Sequence, residues 1–172
     1  AMAASGAVAL YHIAGVTPEA RAGNVVQLGA ESLVIDSLSA GYSALDGACE
    51  QIDLVSIGCP HASLAELRSA ADLIEGRSVK TNLWITTARL TREAAEEEGL
   101  VARIEAAGGR VVADTCMVVA PVAELGFRTM ATNSAKMAFY APAHSGLEVR
   151  FGPFEQCLEA ATSGKWVPVR VG

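Results

Sequence analysis

The chain has 172 residues, enough for one domain with a substantial hydrophobic core. Hydrophobic residues make up 51% of it and aromatic residues only 5%, so small aliphatic side chains supply most of its apolar surface. The net charge of −6 argues against nucleic acid as the main partner. The longest apolar runs fall far short of the roughly 20 residues of a membrane span. Nothing resembles a signal peptide, and the four cysteines do not suggest a disulfide framework, so we expect a cytoplasmic protein.

Residues 1–30 do not follow the pattern of the rest of the chain. Residues 3–15 are small and apolar, and they favour a short helix or strand. Thr17 before Pro18 is a good start for a helix, which Gly23 would soon interrupt. We expect residues 1–30 to belong to a neighbouring lobe.

From residue 32 onward, short apolar runs alternate with longer helical patterns. Strands are predicted at residues 32–36, 52–57, 82–86, 110–114, 127–132 and 147–151. Helices are predicted at residues 40–51, 63–75, 91–107, 134–140 and 153–163, with a short helix or loop at 117–125. This alternation is typical of a parallel sheet with helices on both faces. We therefore predict an α/β fold with a mostly parallel sheet for residues 31–172.

The predicted helix 91–107 illustrates how these boundaries are chosen. Thr91 could cap it, and acidic residues in its first half suit the positive end of the helix dipole. Gly99 inside it costs about 1 kcal/mol relative to Ala. The acidic run indicates a solvated face and not a metal site.

Four predicted strand ends carry polar or reactive residues. They are the segments 59–61, 86–87, 114–116 and 132–136. Because the carboxyl ends of parallel strands lie at one edge of a sheet, we expect these segments to face the same way. Open α/β sheets bind ligands at this edge.

Cys59 and Cys116 follow two different predicted strands. Thiolates in such positions can share a soft metal ion or an iron–sulfur cluster. The alternative is that both are small buried hydrophobic residues, which spacing alone favours. Cys49 and Cys157 fall within predicted helices and are expected in the core. A cluster usually takes three or four cysteines, so two are too few.

Other side chains at this edge also have two interpretations. His61 could be an acid–base or could orient a ligand, or it could be a loop histidine bonded to the backbone. Asn133 and Ser134 precede a helix whose N–H groups, with Lys136, would bind a carboxylate or phosphate. They could equally form an ordinary N-cap.

The sequence resembles the aconitase X family in these same segments. The principal matches are IGCPHASLAEL at 57–67, DTC at 114–116 and TNSAKMAFYAP at 132–142, with further matches at 5–12, 16–20 and 157–166. The matches run in order along the whole chain, and they correspond to the C-terminal part of the family's large catalytic region.

The resemblance implies an aconitase-like domain and a hydro-lyase that dehydrates cis-3-hydroxy-L-proline in bacteria or mevalonate 5-phosphate in archaea. It also implies an iron–sulfur cluster, 2Fe-2S or 4Fe-4S, held by three cysteines, with one iron acting as a Lewis acid. By motif, Cys59 and Cys116 would be two of the ligands, and the third would lie outside this chain. A small swivel domain or subunit, which in the family is thought to bring a catalytic serine, would close the site.

We accordingly predict catalytic roles for three residues: His61, Ser134 and Lys136. Substrate contacts are predicted for Thr17, Thr87, Thr115, Asn133 and Ser134. The Ala-rich composition favours hydroxyproline as the substrate over mevalonate 5-phosphate. We expect the isolated chain to be inactive without the swivel part and the rest of the catalytic region. Two alternatives are a module that binds a small anion without iron and a structural domain that associates through its apolar N-terminal stretch.

Overall fold

The structure, a computed structural model, describes residues 6–167. In chain order its elements are α1 (Pro18–Ala22), α2 (Ser39–Leu45), β1 (Leu54–Ala62), α3 (Leu64–Leu73), β2 (Asn82–Thr87), α4 (Arg89–Glu97), α5 (Leu100–Ala106), β3 (Arg110–Ala113), β4 (Thr129–Thr132), α6 (Ala135–Ser145), β5 (Glu148–Phe151) and α7 (Phe154–Ser163). Over these residues, none of the helices is both long enough and apolar enough to cross a bilayer.

The five strands form one sheet in the order β3-β2-β1-β4-β5, and every pairing is parallel. The central strand is β1, which pairs with β2 on one side and with β4 on the other. The chain moves outward from β1 to β3 and then returns to the far side of β1. Strand order therefore reverses between β1 and β4, and ligands of open α/β sheets bind beside such a switch point. The predicted α/β fold with a parallel sheet is confirmed.

Side chains from the two faces of the sheet form two core clusters. On one face, Val55, Ile57 and Ile85 belong to the cluster that also contains buried residues of α3, α5 and α7. On the other face, Leu54 and Met130 belong to the cluster that includes α6 and the segment after β3. Both faces are thus covered, which is why the first six residues of the central strand β1 are buried without alternation.

The prediction of one helix over residues 91–107 is wrong. The segment forms two helices, α4 and α5, separated at Gly99, whose φ of +72° lies in the left-handed region. Glycine adopts this conformation without the steric cost that a Cβ would add, so it favours a break here. The first helix begins at Arg89 after Ala88, and Thr91 does not cap it.

The strand predicted at residues 32–36 is absent. Leu33, Val34 and Ile35 are 75–82% exposed, and the segment has no regular secondary structure. A strand needs a neighbour for its backbone groups, and the described sheet ends at β3 and β5. The apolar run alone was therefore an insufficient signal.

The helix predicted at residues 40–51 ends at Leu45. Asp46 has extended dihedral angles, and its carboxylate accepts a hydrogen bond from the N–H of Phe151 at 2.9 Å. Cys49 consequently lies in an irregular segment before β1, half-buried, and not in a helix as predicted. The prediction that Cys157 lies in a helix and in the core is confirmed.

The helix predicted at residues 134–140 is longer than expected. It continues through Pro142 to Ser145 and stops at Gly146, whose φ is +63°. Residues 117–125, predicted as a short helix or loop, form turns.

Near the N-terminus, α1 begins at Pro18 after Thr17, as predicted. Residues 7–12 have no regular structure, and the prediction for residues 3–5 lies outside the described part of the chain.

Candidate active site

The central strand changes face as it reaches the carboxyl edge of the sheet. Ile57 packs in the cluster on the α3 side, whereas Cys59 packs in the cluster on the α6 side. Strict alternation would place residues 57 and 59 on the same face. The register between β1 and β2 shifts between Ile57 and Ala62, and such an irregularity re-aims the side chains beyond it.

Gly58 permits this change of face. Its φ is +93°, and a Cβ at this position would overlap the carbonyl oxygen of Thr86. The Thr86 hydroxyl donates a hydrogen bond to the Gly58 carbonyl at 2.6 Å, which fixes the close approach. One residue further on, the peptide bond between Cys59 and Pro60 is cis.

The two thiols named in the sequence analysis meet at this edge. Cys59 and Cys116 line one open cavity of about 350 Å³ together with His61, Lys136, Gly58 and Pro60. The side chain of Cys59 is buried, that of Cys116 is half-buried, and neither is in a disulfide. The thiols therefore share a cavity beside the switch point and do not lie on opposite faces of the sheet.

The surroundings of Cys59 favour the protonated form of its thiol. Burial raises the pKa of the Cys59 thiol, and the neighbouring Cys116 raises it further. The nearby Lys136 ammonium lowers this pKa, but the net direction is upward. A thiolate here would gain more from a bound cation than from solvent, because solvent reaches it poorly.

Ser134 connects the start of α6 to β1 at Cys59. Its Oγ accepts a hydrogen bond from the Met137 N–H at 3.1 Å, which makes it the N-cap. The same hydroxyl donates its proton to the Cys59 carbonyl. The N-cap interpretation is thus correct for Ser134, and its hydroxyl proton is already engaged.

Lys136 lies in the first turn of α6 and reaches the cavity, whereas Asn133 is half-buried and is not among the residues that line it. A positive side chain and the N-terminus of an eleven-residue helix are therefore close together at the cavity.

His61 and Thr115 join the two cysteine-bearing segments. Nε2 of His61 lies 2.9 Å from the Thr115 carbonyl oxygen. Since a carbonyl oxygen can only accept, this nitrogen carries the proton.

A second contact holds the same segment to the start of α4. Asp114 accepts hydrogen bonds from the backbone N–H of Arg89 at 2.9 Å and from its Nε at 2.8 Å. These bonds to Arg89 lower the pKa of the Asp114 carboxyl. Sequence reasoning did not single out Arg89, because a basic residue at the start of a helix opposes the dipole and signals nothing by itself.

None of the five residues with predicted substrate contacts is among those that line this cavity, and Thr87 and Thr17 are engaged elsewhere. Thr87 is completely buried, and its hydroxyl donates to the Ala62 carbonyl at 2.6 Å. The hydroxyl of Thr17 lies 3.2 Å from the N–H of Ile13, within the turn before α1.

The donor set at the cavity fits part of an iron–sulfur site. Two cysteine thiols are the side chains that hold such clusters. Within residues 6–167, no group of three His, Cys, Asp or Glu side chains is arranged to hold a metal ion. The two thiols would therefore be a partial ligand set.

The fold and the cavity define the class of this molecule, a parallel α/β domain with two thiols at its switch point. A sequence model of the third domain of aconitase X matches residues 52–163, a span that contains all five strands and both thiols. The chain belongs to the aconitase X family, as its resemblance indicated.

Similar proteins include dehydratases that act on two different compounds. The large subunit of phosphomevalonate dehydratase from Methanocaldococcus jannaschii is 41% identical over 161 residues, covering 92% of this chain and 40% of that protein. The cis-3-hydroxy-L-proline dehydratase of Pseudomonas aeruginosa is 39% identical over 180 residues, covering 96% and 30%. The chain thus spans about two fifths or less of these relatives.

The fold also matches a solved structure of the family. The crystal structure of Thermococcus kodakaraensis aconitase X in its holo-form superposes with a TM-score of 0.81 at 35% identity, covering 93% of this chain and 42% of that one.

Proposed function

We propose that this chain is the part of an aconitase X-type hydro-lyase that supplies two ligands of an iron–sulfur cluster and a site for the substrate's carboxylate. The observation that carries the proposal is that Cys59, in β1, and Cys116, in the segment after β3, line one cavity with Lys136. The names of the relatives, which are dehydratases, support the reaction type. The active unit would also include the rest of a large catalytic region and a small swivel domain or subunit.

Cys59 and Cys116 would hold the cluster, 2Fe-2S or 4Fe-4S, from this side, with a third cysteine from outside the chain. When bound, the cluster would supply a Lewis-acidic iron for the departing hydroxyl. The protein's own contribution is a pair of poorly solvated thiols with the positive Lys136 beside them, which compensates the negative charge that develops when both thiols lose their protons.

The start of α6 would hold the substrate's carboxylate. Lys136 provides a positive charge at the cavity, and the helix dipole adds to it. Thr115 immediately precedes the cavity-lining Cys116, and Asn133 lies three residues before the cavity-lining Lys136, so both are candidate contacts. Nδ1 of His61 remains for proton transfer, since Nε2 is bonded to the backbone. Ser134 would support the site by fixing the Cys59 carbonyl.

The substrate is a small hydroxy acid, and we propose cis-3-hydroxy-L-proline. Among the described residues that line the cavity, Lys136 is the one Lys or Arg, which suits a single carboxylate. Mevalonate 5-phosphate is the second candidate, favoured by the 41% identity to a phosphomevalonate dehydratase subunit. Both compounds carry the hydroxyl β to a carboxylate, so one dehydration chemistry would serve either.

The test uses the complete gene product that contains these residues, with its small partner, loaded anaerobically with iron and sulfide. We expect cluster absorbance and consumption of one of the two substrates. Cys59→Ser and Cys116→Ser should each lose cluster and activity. Cys49→Ser is the matched control, because Cys49 lies outside the cavity, and it should keep both. Unchanged iron content in the two cavity variants would show that the ligand assignment is wrong.

We also propose that the segment before α2 packs against the rest of the large catalytic region. Within residues 6–38, most large apolar side chains are exposed; Leu28, Leu33, Val34 and Ile35 are all at least 75% exposed. Large apolar side chains exposed together in one segment favour an interaction site. The family match begins only at residue 52 and concerns a third domain, so the preceding residues adjoin other domains of such a protein.

Amide hydrogen exchange tests this packing. In the isolated chain, residues 24–37 should exchange within seconds, because they lack regular hydrogen bonding. In the complete gene product the same amides should be protected at least a hundredfold. Equal exchange in both samples would contradict the proposal.

A further inference from the structure

The two thiols are carried by segments that the fold anchors in different ways. Cys59 lies within β1, in the middle of the sheet. Cys116 lies beyond the end of β3, which stops at Ala113. The position of this irregular segment beside β1 therefore needs an explanation.

The anchors of the Cys116 segment point mostly away from β1. The Asp114 N–H donates to the Thr87 carbonyl at 3.0 Å, and its carboxylate binds Arg89. The Cys116 carbonyl accepts from the N–H groups of residues 119 and 120, both at 3.1 Å. These bonds tie the segment to β2, to α4 and to itself.

One hydrogen bond in the described part of the chain runs from residues 114–120 to the end of β1. It is the bond of 2.9 Å from His61 Nε2 to the Thr115 carbonyl. His61 is two residues after Cys59, and Thr115 immediately precedes Cys116. The bond therefore spans the two thiol-bearing segments next to the thiols themselves.

We infer that His61 is a positioning residue, whose Nε2–H holds Cys116 at a fixed distance from Cys59 before any cluster is bound. The inference rests on the proposed ligand role of the two thiols, and it leaves Nδ1 free for a separate task. In this role the imidazole acts only as a hydrogen-bond donor, so an amide N–H at the same place could perform the same function.

The test measures the proximity of the thiols without iron and without activity. Phenylarsine oxide binds two neighbouring thiols: two As–S bonds form, the As=O bond is lost, and one water leaves with both thiol protons, with no change in oxidation state. The apo-protein is loaded with phenylarsine oxide and then titrated with the competing dithiol 2,3-dimercaptopropanol. Mass spectrometry gives the concentration of competitor that removes half of the bound arsenical. Cys59→Ser and Cys116→Ser should each lose tight binding of the arsenical, which would show that this pair of thiols holds it.

Two substitutions distinguish the effect of the hydrogen bond from the effect of the aromatic ring. His61→Phe keeps a ring but has no N–H, and we expect about tenfold less competitor to remove the arsenical. His61→Gln places an amide N–H near the position of Nε2. The concentration of competitor that removes half of its arsenical should therefore stay within about threefold of the wild-type value. His144→Phe is the matched control, since His144 makes an edge-to-face contact with Tyr140 near the end of α6 and does not line the cavity.

Each outcome decides the inference. It is overturned if His61→Phe retains the arsenical like wild type, if His61→Gln loses it as completely as His61→Phe, or if wild type shows no binding that depends on both thiols. If thiol pairing depends on His61 but the complete gene product binds no iron, the ligand proposal fails and the positioning role stands. If iron is bound and His61→Phe changes nothing, the positioning role alone fails.

Discussion

Replacing Gly58 with alanine should damage both the sheet and the site, because this glycine allows β1 to turn Cys59 toward Cys116. The added Cβ would overlap the Thr86 carbonyl oxygen and would lie 2.9 Å from Thr86 Oγ1 and 3.0 Å from its carbonyl carbon. Real Cβ atoms essentially never approach other atoms more closely than 3.0 Å. The obstructing groups belong mainly to the backbone of β2, which cannot move aside as a flexible side chain could. The strands would have to separate.

The expected cost has two parts. Placing alanine at a positive φ costs about 1–2 kcal/mol. Separating the strands also breaks the buried hydrogen bond from the Thr86 hydroxyl to the Gly58 carbonyl, and an unsatisfied buried group costs about 1–3 kcal/mol. We therefore expect Gly58→Ala to lower the free energy of unfolding by about 3 kcal/mol or more.

Urea denaturation followed by circular dichroism measures this loss. Gly76→Ala is the matched control: Gly76 also has a positive φ, +69°, but nothing lies within 4 Å of an added Cβ. It should lose only the conformational part, about 1–2 kcal/mol. If Gly58→Ala is no less stable than Gly76→Ala, the steric argument is refuted.

Three further predictions concern single contacts. Ser134→Ala removes the cap of α6 and the bond to the Cys59 carbonyl, and should lower the free energy of unfolding by about 1–2 kcal/mol in urea; an unchanged midpoint would contradict this. Ser63→Ala removes the capping box with Glu66 and should cost about 1 kcal/mol, which a thermal melt can detect. Burial and the charge of Glu148 raise the pKa of Cys49 to about 11. Its alkylation by iodoacetamide at pH 8 should therefore be roughly a hundredfold slower than that of an unperturbed thiol, and its rate should rise with pH up to that value; a titration midpoint near 9 would oppose the prediction.

Sequence patterns predicted the strands of the sheet well and the irregular segments poorly. The runs that became β1, β2, β3, β4 and β5 were recognisable because buried parallel strands are short, apolar and separated by helices. Residues 32–36 have the same local character, yet they form no strand. Pairing requires a neighbouring strand, and a local pattern cannot specify one.

The candidate site was predictable in its residue types but not in its geometry. Cys59, Cys116 and Lys136 were singled out from their places after predicted strands or before a helix, and the structure brings them to one cavity. The hydrogen bond from His61 to the Thr115 carbonyl was one of two open interpretations. The contact of Asp114 with Arg89 was not foreseen, because nothing local relates residues so far apart in the sequence.

The amino-acid sequence by itself determined that the chain is an α/β domain of the aconitase X family with thiols at strand ends, since periodicity and motif are local properties. Only the tertiary structure decided that the two thiols line the same cavity. That outcome depends on the reversal of strand order beside β1 and on the close approach of Gly58 to Thr86, which moves Cys59 to the other face of the sheet. Both are consequences of long-range packing, in which a shift of one residue exchanges the faces of a strand.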